Sequence, residues 1–188
     1  MLGQRHAALR TGTSALHSKL DAAVTASQFF ASLAGYGEYL RRLRGFQLDF
    51  ETAAARCDLD WPTRWSADQH VGWLDRDLAA LGLMSRRPAS GCTARTLVLD
   101  TTSAMLGALY VVVGSGLGAR VLLGRARSLP LPTETGTLYL ESLSRVTDWR
   151  AFLTFLESVP SISDTVMIES ARTTFEHALC HMDEGVPA

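Results

Sequence analysis

The chain has 188 residues, 47% of them hydrophobic, with 18 basic and 19 acidic side chains and a net charge of −1. That length suits one globular domain with a single core, and the balanced charge argues against partners such as nucleic acid or an anionic membrane surface. Three cysteines, Cys57, Cys92 and Cys180, are far apart and odd in number. They form no CxxC pair and suggest no disulfide framework, which favours a reducing, cytoplasmic compartment.

In chain order, residues 4–24 place Ala8, Leu9, Leu16, Leu20 and Val24 on one helical face, with His17 near it. Thr25 or Ser27 can cap a second, short helix holding Phe29, Phe30 and Leu33, broken by Gly35 and Gly37. A longer helix spans 38–57, with Tyr39, Leu40, Leu43, Phe46, Leu48 and Phe50 apolar and Arg41, Arg42 and Arg44 outward. The stretch 58–66, with Pro62, reads as a loop. Ser66 or Asp68 then starts a helix through Leu83, with Val71, Leu74, Leu78 and Leu81 on one face. After a connector over 86–91, a long apolar segment runs from Thr93 or Thr96 to about Arg127. Pro130 and Pro132 punctuate it, and a short element covers 134–146. Asp148 caps a helix through Leu156, and Pro160 ends that helix. Ser163 or Asp164 caps a final helix with Val166, Ile168, Ala171, Phe175, Leu179 and Met182 inward. Helical periodicity without repeat or linker predicts an all-α, single-domain multi-helix bundle over 1–188.

The segment AMLGALYVVVGSGLGA, residues 104–119, organises the rest. No formal charge lies between Asp100 and Arg120, which predicts burial, and Gly114, Gly116 and Gly118 leave bare backbone. Glycine inside an element costs up to about 1 kcal/mol relative to alanine, so a flat or phosphorylated ligand against the backbone is the simplest compensation. A membrane span is a poor alternative, because 101–119 is barely long enough and carries Thr101, Thr102, Ser103 and Ser115. A dinucleotide-binding reading is better locally: ALYVVV as strand, GSGLGA as the GxGxxA fingerprint, and TLYLE as a second strand ending in Glu141. Residues 1–96, however, supply none of the strand–helix alternation that such a sheet needs.

The first helix adds His17 and Asp21, one turn apart. A carboxylate at that offset can hold an imidazole so that its other nitrogen faces a metal. Leu9, Arg10, Thr13, His17, Leu20 and Asp21 together with Tyr110, Val111, Gly114, Ser115, Leu117 and Gly118 resemble, in order and spacing, the two signature helices of the heme oxygenases, specifically their bacterial biliverdin-producing branch. The closing ESARTTFEHALCHMDE is also similar, so the likeness covers most of the chain. Lys19 is the only lysine, an arginine bias that fits a bacterial source.

The resemblance implies that His17 ligates heme iron and Asp21 orients it. It implies that Gly114 and Gly118 let the distal helix lie against the macrocycle, and that Ser115 holds water there. Tyr110 would hydrogen-bond in the pocket, and Arg10 would pair with a heme propionate, with Arg150 and Arg172 as further candidates. Heme would be substrate and cofactor, cleaved with O2 and electrons from an external ferredoxin or reductase to biliverdin, carbon monoxide and iron. The product could pass to a bilin-binding photoreceptor. Departures are Val113 for a usual glutamate, Gly116 for threonine or asparagine, and Ala119 for glycine. They keep open a non-catalytic heme carrier or sensor.

Two other groups stand out. His177 and His181 are at i, i+4 on the last helix and could share a metal, but a solvated helix end whose histidines suit the dipole is the better reading. Arg41, Arg42 and Arg44 could dock an acidic reductant, although such a run is usually a solvated face.

Overall fold

The computed structural model describes residues 3–56, 69–84, 96–131, 136–146 and 149–182. Among these the chain forms seven helices and no strand: α1 (Gln4–Ala26), α2 (Leu33–Ala54), α3 (His70–Ala80), α4 (Thr102–Arg127), α5 (Leu138–Val146), α6 (Trp149–Ser158) and α7 (Asp164–Met182). The all-α bundle expected from periodicity is what forms. The dinucleotide-binding reading is overturned, since ALYVVVGSGLGA lies wholly inside α4 and TLYLE runs into α5. Cys57, Cys92, Asp148 and the expected loops at 58–66 and 86–91 lie outside the described residues.

The short helix expected after α1 is absent. Residues 27–32 form turns, and Ser32 caps α2, its hydroxyl accepting the Gly35 N–H at 3.0 Å. Gly35 and Gly37 sit inside α2 instead of ending it, at close approaches: a Cβ at Gly35 would meet the Phe29 carbonyl, and one at Gly37 the Leu83 side chain.

The bundle is built on α7. Both α1 and α4 pack extensively along it, while their own backbones seldom come close to each other. Glycine allows both crossings, because a Cβ at Gly12 would overlap Ile168 and one at Gly107 would overlap the Met167 carbonyl oxygen. Leu106, Met167 and Ala171 are fully or almost fully buried at the α4–α7 seam. Helix α2 closes one side with Tyr36, Leu40 and Phe50.

A buried carboxylate fixes α5. Asp77 of α3 accepts the Leu138 N–H at 2.7 Å and the Tyr139 N–H at 2.8 Å, satisfying two of the donors that a helix start leaves open. Burial pushes the Asp77 carboxyl up to about 6, against the lowering effect of those backbone bonds.

Candidate functional site

A cavity of about 670 Å³ lies between the C-terminal halves of α1 and α4. Its walls are His17 to Thr25 of α1 and Tyr110 to Arg125 of α4. Phe175, Ala178 and Met182 of α7 form the floor, and Tyr39, Leu43 and Phe46 of α2 close the back. The volume is that of a small-molecule or cofactor site, and the lining is mostly apolar with a few polar groups.

His17 and Asp21 lie at the mouth, their side chains 62% and 70% exposed. The His17 Nδ1 is 3.1 Å from Asp21 Oδ2, and the ring meets Phe175 edge-on at 5.8 Å. Donation from Nδ1–H to the carboxylate leaves the Nε2 lone pair for a ligand.

On α4, Gly114, Ser115, Leu117 and Gly118 face this space. No atom lies within 4 Å of where a Gly118 Cβ would stand, whereas a Gly114 Cβ would be 3.5 Å from the Trp149 ring. Bare backbone therefore borders open volume at Gly118 and an aromatic wall at Gly114. Gly116 is buried on the other side of the helix, away from the cavity, which corrects the expectation of three ligand-facing glycines. Val113 is also buried and off the cavity, so its departure from the family pattern falls in the core.

The Ser115 hydroxyl donates to the Val112 carbonyl at 2.7 Å. Tyr139, also on the cavity wall, begins a polar chain that leads inward. Gln47 Nε2 donates to the Tyr139 oxygen at 3.1 Å, and Gln47 Oε1 is 3.2 Å from His70 Nδ1. Burial keeps the Tyr139 phenol protonated far above its ordinary range. Gln47 and Tyr139 escaped the sequence reading, since α2 and α5 meet α4 only in the folded state. Tyr110 is half-buried at the cavity edge and packed against His6 and Trp149.

The cation assignments change. Arg10 is exposed and does not line the cavity. Arg172 donates to the Gly12 carbonyl at 2.8 Å, and Arg150 is exposed away from the site. Arg125 is the basic residue on the wall. The signal for it was available: Gly114, Gly118 and Arg125 fall on one face at helical spacing.

Three further expectations are corrected. Arg42 is buried, donating to Glu38 at 2.8 Å and to the Met182 carbonyl at 2.7 Å, and Arg44 is paired with Asp75. These two arginines join elements instead of forming a solvated docking face. His177 and His181 are 7% and 5% exposed, not solvated, and both meet Asp49. Cys180 is disulfide-bonded, which removes the cysteine argument for a reducing compartment. As for a membrane, α4 alone among the described helices is long and apolar enough to cross one, with half of its most apolar window buried inside the bundle.

Compared with protein-family models and with curated proteins, the chain matches none.

Proposed function

We propose that this chain is a heme oxygenase of the bacterial biliverdin-producing kind, with heme held between α1 and α4. The observation that carries the reading is the meeting, across one apolar cavity, of His17 and Asp21 with Gly114, Ser115 and Gly118. These residues come from two motifs about a hundred positions apart that resemblance alone had paired.

The residues suit the group. His17 offers Nε2 to iron while Asp21 holds its other nitrogen. Gly118 leaves the space that a flat macrocycle would fill, and Leu117 and Val121 offer apolar surface beside it. Arg125 is placed to pair with a propionate, a role that suits its planar, always-charged fork. Bound heme supplies the iron at which O2 is activated with electrons from an external donor, and its own carbon skeleton is what is oxidised. The protein excludes bulk water with its apolar walls, and the Tyr139–Gln47 pair holds hydroxyl and amide protons at the cavity wall.

A second reading, a heme carrier or sensor, draws on one observation. Among the described cavity-lining residues Asp21 is the only carboxylate, and it is on the proximal side, so no distal acid serves proton delivery. A hemin titration followed by visible absorption separates the readings. A saturable one-to-one Soret band that decays to a bilin spectrum on adding ascorbate in air, with catalase present, supports the enzyme. A band that persists with ascorbate and with a ferredoxin–reductase system supports the carrier. Absence of a specific band, or wild-type binding and turnover in His17→Ala, rejects the heme assignment to this histidine.

A further inference from the structure

Away from the cavity lining, at the seam between α2 and α7, two imidazoles converge on one carboxylate. His177 Nε2 and His181 Nε2 each lie 3.0 Å from Asp49 Oδ2. The histidines are separated by one helical turn on α7, and Asp49 comes from the facing turn of α2, more than 120 residues away in sequence. The histidine side chains are 9% and 6% exposed and the aspartate 35%. A carboxylate oxygen has room for both contacts, and the arrangement gathers three ligand atoms within 4.8 Å of one another.

We propose that Asp49, His177 and His181 form a binding site for a divalent transition metal that joins α7 to α2. Two imidazoles and a carboxylate, with a position left open, are a donor set used by zinc and by non-heme ferrous iron. A tetrahedral ion about 2.0–2.1 Å from each donor sets the donors about 3.3 Å apart. The two His–Asp separations are already close to that, and the histidines need only approach each other by side-chain rotation. The part-exposed Asp49 gives the ion access from solvent and leaves room for a water as fourth ligand.

The site does not depend on the heme reading, and it has a structural consequence of its own. Phe46, which packs against His177, and Ala178 and Met182, which flank the two histidines on α7, all line the cavity. A bound ion therefore fixes the relative position of two cavity walls.

The test uses the full chain, stripped with a chelator and carrying His17→Ala so that the His17–Asp21 pair cannot compete. Titration with Co2+ is expected to give saturable visible d–d absorption at one equivalent, displaced by Zn2+. At a Zn2+ concentration a hundred times the dissociation constant, the folding equilibrium should shift about a hundredfold toward the native state. Asp49→Asn and His177→Gln should each abolish stoichiometric uptake, with helical circular dichroism reporting whether the fold is kept. If one variant does not fold, the other and the parent titration still decide. No saturable uptake by the parent, or uptake unchanged in a folded variant, overturns the proposal and leaves a hydrogen-bonded triad.

Discussion

At the scale of single residues, Asp77 shows how burial and hydrogen bonding compete. Its two carboxylate oxygens cap α5, which favours the ionised form, yet desolvation wins and raises its pKa from 3.8 to about 6. Between those values the folded protein holds a proton that the unfolded chain has released. The stabilisation this gives is fully present below about pH 4 and is lost as pH rises through 6. Relative to Asp77→Asn, which cannot titrate, wild type should therefore lose about 2 kcal/mol of stability between pH 4 and pH 7. Urea denaturation of both proteins at the two pH values checks this, and a pH-independent difference would refute it. Arg42 illustrates a different competition. Its neighbours Arg41 and Arg44 made it look like part of a charged surface, but it lies in the core, held by Glu38 and the Met182 carbonyl and over the Phe29 ring at 5.4 Å. Residue type alone could not separate the three arginines. The contacts of Arg42 with the Met182 carbonyl and of Arg44 with Asp75, both from other elements, do.

At the scale of elements, two glycines of α4 have opposite meanings. Gly107 sits where the backbone of α7 crosses, so Gly107→Ala drives a methyl into the Met167 carbonyl oxygen, which cannot move without the helix. A loss of about 2–3 kcal/mol is expected, the upper range for overpacking a well-ordered seam. Gly118→Leu, by contrast, puts its side chain into open cavity. It should change stability by less than about 1 kcal/mol while weakening hemin binding at least tenfold, since helix propensity favours leucine and the occupied volume is the ligand's. Thermal melts paired with hemin titrations distinguish the two, and equal behaviour of both variants would argue against the cavity assignment. The helices themselves were legible in the sequence. Caps, prolines and 3.6-residue spacing located α1 and α7 closely, whereas the small helix expected at 27–34 dissolved into turns because the Ser32 hydroxyl caps α2 later. For α4 periodicity said little about orientation, because a helix apolar on nearly every side has no face to read.

At the scale of the whole molecule, the organisation is two helices, α1 and α4, packed along a third, α7. The gap between α1 and α4 leaves Leu117 and Val121 about 60% exposed, apolar surface that a bound ligand would cover. Heme spanning the gap should therefore act as a tether between α1 and α4. At a hundred times its dissociation constant it stabilises the native state by about 2.7 kcal/mol, read as a rise in the thermal midpoint. His17→Ala should remove most of that rise, and an equal rise in both proteins would place binding elsewhere.

The sequence by itself determined the fold class, since helical period, cap residues and glycine and proline placement are local properties that each segment carries alone. It also carried both halves of the candidate heme site, His17 with Asp21 and the glycines of α4, because each half lies within a single helix. Which half meets which was decided by α7, against which α1 and α4 both pack, with close approaches at Gly12 and Gly107. The same is true of the Tyr139–Gln47 chain and of Asp49 with its two histidines. Each depends on contacts between residues distant along the chain, and local patterning holds no record of how far apart in space such residues will finally lie.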